Sequence, residues 1–424
     1  MAEPASKRLC APGVPASLVD FVGRALAKSL IAAGLTVAHS SLRVTPAAAV
    51  QQLLAALAPD TSARAFQQDG LLLAALLAGD TAAAGALSSG TLSVASALEL
   101  ARARRGRAAR SRAVIRDHHT RLREQVAMPT LEAQHASWAA AVSDGKALRA
   151  YAEAASETGQ RRFVRCAQAW CAAQIRSFFY DGGAARLAAK AWRRAYFAQQ
   201  GALPSPEAGA AAMADAAAQL AASIAAEPDG RLKLLDVGSC WDPWRPLEDQ
   251  FSITAFDLEP ACATVFRCDA LALQLGKPGS TAVVEPPAAA ADGAGRLLSL
   301  AKASYHIVVL SLVLSYLPTP GQRSTVCGKA RALLRDDAAL LLIVTPHSTA
   351  GSRPSGGGPG AILREWEAAL EGMGFQRVAI EKLPTVFGLA FRTVPRSGTA
   401  ALLPMRIAYD DRPPHSVEEA VQMG

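Results

Sequence analysis

The chain has 424 residues, 51% of them hydrophobic, enough to bury more than one core. Lys and Arg outnumber Asp and Glu by 44 to 36, yet charged residues are only 19% of the total, so the net charge of +8 is local rather than spread over the surface. The seven cysteines form no CxxC pair and indicate neither a disulfide framework nor a zinc ribbon, and apolar runs such as 70–79 fall short of the ~18 residues of a membrane span, so neither a metal nor a membrane partner is expected.

Residues 1–107 read as a low-complexity, Ala-rich extension with helical stretches at 47–58 and 70–78. Few aromatics means little gain from burial, which predicts a disordered or loosely helical segment. Its Ala, Ser and Leu content also resembles an organellar transit peptide, against which Glu3 and Asp20 count. A cytoplasmic or nuclear and nucleolar location is the other expectation. Arginines then gather at 102, 104, 105, 107, 110, 112, 116, 121 and 123. That run reads as a grip for RNA phosphates, as a nuclear address, or as a solvated helix face.

Residues 108–228 read as a small helical domain, with helices at 113–127, 130–142, 145–155, 161–180, 186–197 and 207–226. Phe163, Ala167, Trp170, Ala173, Gln174 and Phe178 recur at helical spacing and are expected in a core. His118 and His119, on a charged helix, are expected to be solvated.

After Asp229 and Gly230 the pattern changes to short apolar runs alternating with helices, up to residue 395. Strands are predicted at 232–237, 252–256, 306–310 and 339–344, with 378–382 and 389–393 as a closing antiparallel pair joined through Pro384 and Gly388. Helices fall at 322–334 and 362–372. The alternation predicts an α/β fold, a mostly parallel sheet covered on both faces. Residues 351–360 read as a flexible loop without the GK[ST] ending of a phosphate loop, and 396–424 as a tail.

Ligands of such sheets sit at the carboxyl ends of strands where the order reverses. The first strand ends in Asp236-Val237-Gly238-Ser239-Cys240, where Gly238 permits a tight turn and a close backbone approach. Asp257 follows nineteen positions later, the offset of a carboxylate that accepts ribose hydroxyls; a surface carboxylate is the alternative. Asp269, in Arg267-Cys268-Asp269-Ala270, follows a third short segment. Three acids at one rim would repel a pyrophosphate and attract a sulfonium, which favours S-adenosyl-L-methionine over NAD. Asp236 is equally suited to bonding its own turn. Ser315, Tyr316 and Pro318 are candidates for the side facing the methyl group, with Tyr316 alternatively in the core. No HExxH spacing and no GxSxG elbow occur.

Leu234-Leu235-Asp236-Val237-Gly238-Ser239-Cys240, Cys268-Asp269, the run Ser311-Leu312-Val313-Leu314-Ser315-Tyr316-Leu317-Pro318-Thr319-Pro320, Gln322-Arg323 and Leu341-Leu342-Ile343-Val344-Thr345-Pro346 together resemble one family. It is that of the S-adenosylmethionine sensors upstream of TOR complex 1 (SAMTOR), which also holds the fungal 25S ribosomal RNA adenine-N1 methyltransferase. The likeness runs from about Arg121 to Thr393. It implies a Rossmann-like class I methyltransferase sheet preceded by a small helical domain. It also implies cofactor contacts from Gly238 and Asp257, adenine contacts from Asp269 and Ala270, and a pocket wall from Ser311 and Leu312. The family's cofactor-contacting arginine, three residues before Trp170-Cys171, is here Ala167, and Arg165 is the candidate to replace it.

Two functions follow as expectations. One is methyl transfer to adenine N1 of large-subunit ribosomal RNA, a nucleophile that needs positioning more than a base. The other is a non-catalytic sensor whose ligand shifts a population between free and partner-bound states, the partners being TOR-pathway regulatory complexes.

Overall fold

The computed structural model describes residues 16–32, 63–89, 91–126, 131–159, 161–225, 227, 229–287, 295–336, 338–350, 359–395, 402–408 and 410. The expected helix at 47–58 and most of the 351–360 loop lie outside them. The chain divides into two compact units, Met1–Arg112 and Ala113–Gly424.

In the first unit, helices α1 (Ala16–Ala32), α2 (Ala63–Gly79), α3 (Thr81–Ser89) and the first half of α4 (Val94–Val126) share a core of Val22, Leu26, Leu73, Leu77, Ala84, Leu87, Val94 and Leu98. This corrects the expectation of a loose extension ending at 107. Alanines let helices approach closely, and the leucines between them supply a continuous apolar seam. Two arginines of the basic run belong to this unit's own ion pairs, Arg102 with Asp69 and Arg104 with Asp80 at 2.6 Å.

The second unit is built on one sheet. Its strands are β1 (Leu232–Val237), β2 (Phe251–Asp257), β3 (Phe266–Arg267), β4 (Gln274–Gly276), β5 (Val283–Glu285), β6 (Arg296–Ala301), β7 (Ile307–Ser311), β8 (Leu340–Pro346), β9 (Phe375–Lys382) and β10 (Val386–Thr393). They lie in the order β4-β6-β3-β2-β1-β7-β8-β10-β9, with β5 against β6. The pairs from β3 through β8 are parallel, and β10 runs antiparallel between β8 and β9. A parallel sheet that reverses between β1 and β7 and closes on an antiparallel hairpin is the Rossmann-like methyltransferase fold.

Side chains alternate between two faces along each strand. Leu235 and Val237 join one core with α11 (Pro320–Leu333) and α12 (Pro359–Gly372), while Leu232 and Leu234 join another with α7 (Arg162–Phe179). Helices α5 (Leu131–Ser143), α6 (Gly145–Gly159), α8 (Gly183–Gln200), α9 (Pro206–Ala225) and the single turn α10 (Val313–Tyr316) complete this unit. Helix α11 starts on a full capping box, Thr319 and Gln322 bonding each other's backbone, with Pro320 at its first position. Helix α9 is, by length and composition, apolar enough to cross a membrane, in contrast to the sequence expectation. Its apolarity is alanine's, and only Leu220 is buried.

Two further differences from expectation have physical causes. Residues 402–408 are no free tail: Met405, Ile407 and Ala408 are buried. Arg323, fully buried, holds them by donating to Met405 O and, through both terminal nitrogens, to Asp410 at 2.7 and 2.8 Å. Gly388 lies inside β10 rather than in the hairpin turn, and the position takes a glycine because a Cβ there would sit 2.7 Å from the Trp170 ring. That ring is held in place by its Nε1–H bond to Glu381, 2.7 Å. Gly388→Ala should therefore lower the unfolding free energy by about 1–3 kcal/mol through overpacking, seen as a lower urea midpoint.

Candidate functional site

Where the strand order reverses, a cavity of about 520 Å3 opens outside the carboxyl ends of β1, β2 and β7, within the range of sites for small organic ligands. The sheet lines it with Asp236, Gly238, Asp257, Asp269, Ala270, Ser311 and Leu312; the helices line it with His119, Trp138, Tyr151, Thr158 and Arg161.

The turn after β1 carries unusual backbone conformations in sequence. Gly238, Cys240 and Asp242 have φ of 75°, 55° and 55°. Asp257 holds this turn, accepting the Cys240 N–H on Oδ2 and the Glu259 N–H on Oδ1, both at 3.1 Å. A positive φ is costly for any residue with a Cβ, so the carboxylate at the end of β2 shapes the turn as well as facing the cavity. Across the site Leu312 also has positive φ, 64°, anchored by its N–H to Val344 O at 2.9 Å. This bend turns α10 over the crevice.

Burial raises the carboxyls here. Asp236 is pushed up to about 7, and Asp257 to about 6 despite its backbone donors. Four acids line the cavity, Asp236, Asp257, Glu259 and Asp269; Arg161 is the one Lys or Arg among its lining residues. Arg267, outside the lining, pairs with Glu259. Three buried oxygens of lining residues, Thr158 Oγ1, Asp236 Oδ2 and Ser239 Oγ, have no hydrogen-bond partner among the described residues. Buried polar atoms are rarely left so unless a ligand or water meets them. Acids, orphaned oxygens and volume together suit a ligand carrying positive charge and hydroxyls.

An aromatic cluster covers the side beyond β7. Tyr316 bonds His118 (Oη to Nε2, 2.9 Å) and meets Tyr151 and Trp138 edge-on at 5.0 and 6.1 Å. Trp138 Nε1 donates to Asp269 Oδ2 at 2.9 Å. His118 is 4% exposed, which overturns its expected solvation; burial, then Arg121, lowers it to about 4. His119, lowered to about 3 by burial and then by Arg123, faces Tyr151 Oη at 3.3 Å. Both imidazoles are neutral at physiological pH and serve as packing and hydrogen-bonding groups.

Six of the seven residues singled out in the sequence, Gly238, Asp257, Asp269, Ala270, Ser311 and Leu312, converge on this cavity. Arg165 does not. Arg161, Val164, Gln168 and Cys171 line it at spacings of three and four, and Arg165 falls one position off that stripe, exposed on α7. Ser315 and Tyr316 reach the lining while Pro318 stays outside. Sequence reasoning missed Trp138, Tyr151, His119 and Arg161; the lone tryptophan of the Ala-rich α5 was the one available signal.

No known protein-family profile matches the chain. Over 228 residues it is 35% identical to the S-adenosylmethionine sensor upstream of mTORC1 of Danio rerio, covering 53% of this chain and 54% of that protein. The Xenopus tropicalis protein of the same name is 33% identical over 237 residues, 56% of this chain and 57% of that one. The chain thus spans about half the length of the curated relatives it matches. Among solved structures it is similar to an S-adenosylmethionine-dependent methyltransferase from Aquifex aeolicus (13% identity, TM-score 0.26, 42% of this chain and 89% of that one). It is also similar to the 1,6-didemethyltoxoflavin-N1-methyltransferase of Burkholderia thailandensis with bound S-adenosylhomocysteine (18%, TM-score 0.27, 43% and 77%). At such TM-scores the fold assignment rests on the strand order described above.

Proposed function

We propose that the cavity binds S-adenosyl-L-methionine and that the chain is a sensor of this ligand, acting through TOR-pathway regulatory protein complexes. The observation that carries the reading is the joint lining: carboxylates of the sheet on one side, Trp138, Tyr151 and Arg161 of the helices on the other. A ligand gripped by both biases how they close on each other, and only a ligand with different affinity for two states shifts a population. The acids favour the sulfonium and ammonium charges. Gly238 gives the ligand its close backbone approach, Asp257 has lone pairs left for ribose hydroxyls, and Asp269 and Ala270 face the adenine. Arg161, in place of Arg165, faces the ligand carboxylate.

Sensing is favoured over methyl transfer because the chain's own His118, Tyr151 and Trp138 occupy the space around Tyr316, where an acceptor base would enter. The exposed arginines of α4, among them Arg105, Arg107 and Arg110, favour the second reading, transfer to adenine N1 of large-subunit ribosomal RNA. Incubating the recombinant chain with methyl-labelled ligand and ribosomal RNA separates the two. Binding near micromolar without transfer is expected; label in the RNA within one turnover would establish the enzyme instead.

The raised carboxyls give the binding a pH signature. A cation favours ionised Asp236 and Asp257, so their pKa values fall on binding. Affinity is then full above the free-state values and declines as pH drops through about 7 and 6. Calorimetry should show a loss of roughly tenfold between about pH 7.5 and 5.5, with protons released on binding within that window; a flat profile would remove these carboxylates from the contact.

A further inference from the structure

Helices α8 and α9 pack on each other as a hairpin that outruns the core it springs from. Its base is anchored by Ala184, Ala185 and Ala189 of α8 and by Leu220 of α9, yet between Ala189 and Leu220 no residue is buried. Residues 190–200 therefore carry α8 about 16 Å past its last buried position. From Ala195 to Pro206, around the turn, the chain holds no charged side chain, and there Phe197 and Leu203 stand 51% and 78% exposed.

Two stripes run along α8. Ala185, Ala189, Trp192 and Tyr196 continue the anchored side beyond the core, the last two half-buried with ring centroids 5.5 Å apart. Arg186, Lys190, Arg193 and Phe197 recur at the same spacings of four, three and four, one position on, so they share the neighbouring face, and all four are exposed. Arg194 flanks them. Lys190, Arg193 and Arg194 have no carboxylate partner among the described residues. The two acids of the hairpin, Glu207 and Asp215, both lie on α9 and are outnumbered by the four cations of α8.

We propose that this hairpin docks tip-first on an anionic lipid surface, its uncharged turn entering the bilayer and its cations meeting the headgroups. The depths agree. With Phe197 at the acyl boundary, Arg193 and Lys190 stand about 6 and 10 Å above it along the helix. The headgroup layer is about 5–7 Å deep, within reach of their long stems. Trp192 and Tyr196, apolar rings with one polar atom each, suit the same layer. The contact is peripheral, since the alanines of α9 offer acyl chains little apolar area. A nucleic acid would use the cations and leave Leu203 without a role, so lipid is the favoured occupant. This surface is independent of the proposed S-adenosylmethionine cavity.

Flotation of the full chain with phosphatidylcholine vesicles carrying about 30 mol% phosphatidylserine tests it, with phosphatidylcholine alone as control. Binding to the anionic vesicles only is expected, weakened severalfold by about 0.5 M NaCl. Phe197→Ser combined with Leu203→Ser, at exposed positions outside the core, should lower the partition coefficient at least about tenfold. Lys190→Gln combined with Arg193→Gln should lower it by about as much, with circular dichroism unchanged in both variants. No flotation with anionic vesicles, or equal flotation with neutral ones, would overturn the proposal. So would binding unaltered by the paired serine changes, which would move the contact to the arginines of α4. RNA held more weakly by the serine variant than by the parent would assign the tip to a nucleic acid instead, and a parent dimer that the serine changes dissolve would assign it to a second copy.

Discussion

Gly238→Ala should abolish the proposed S-adenosylmethionine binding, with affinity falling at least about a hundredfold. The added Cβ would stand 2.9 Å from Val313 Cβ and Cγ2, at a residue whose φ is 75°. The left-handed backbone costs a residue with a side chain about 1–2 kcal/mol and the overlap about as much again. The strain has one place to go. The Gly238 and Ser239 N–H groups are tied to Phe256 O, so the β1 turn resists and α10 is pushed away. Ser311, Leu312 and Val313, all on the cavity wall, move with it. Calorimetry of the variant, with circular dichroism to show that the helices survive, gives the answer. Unaltered affinity would mean that no ligand approaches this turn.

Asp410→Ala should destabilise the second unit by about 3 kcal/mol. Arg323 is fully buried and all five of its N–H groups are used: Nε to Leu317 O, Nη1 to Met405 O and Asp410, Nη2 to Pro318 O and Asp410. Removing the carboxylate leaves an uncompensated charge in a dry core. It also removes the acceptor that orders Ile407 N–H at 2.8 Å, so Met405 and Ile407 lose their anchor. Tryptophan fluorescence in urea should report the change, since Trp366 Nε1 bonds Arg406 O in the same segment at 2.6 Å. A midpoint equal to that of the parent chain would show residues 402–410 to be dispensable.

The central strands were legible because a strand buried on both faces is a near-continuous apolar run, as in Ile307–Leu310 and Leu340–Val344, with Leu232–Val237 broken only by Lys233 and the site residue Asp236. The β3 to β6 edge was not. Phe266–Arg267 is two residues long, and β4 and β5 lie in a stretch punctuated by Gly276, Gly279 and Pro278 that mimics a loop. Site residues that follow strands were readable, since a strand end points them at the crevice. Those carried by helices were not, because their partners are remote in sequence: His118 meets Tyr316 across 198 positions. Arg165 and Arg161 show the finer limit. Composition reveals an arginine near the start of α7, while only the helix's rotation about its axis decides which one faces inward. Residues 402–408 escaped notice because a short extended segment with exposed Leu402 and Leu403 resembles any polar-flanked tail.

Arg323 ties the carboxyl-terminal segment to Leu317 O and Pro318 O, and Leu317 lines the large cavity. Whatever tugs on residues 402–410, whether a reporter fused there or a protease nicking the chain, acts one side chain away from the cavity floor. A fluorescent label placed in this stretch would consequently double as a gauge of cavity occupancy, and an affinity handle engineered into it would risk silencing the protein it was meant to capture.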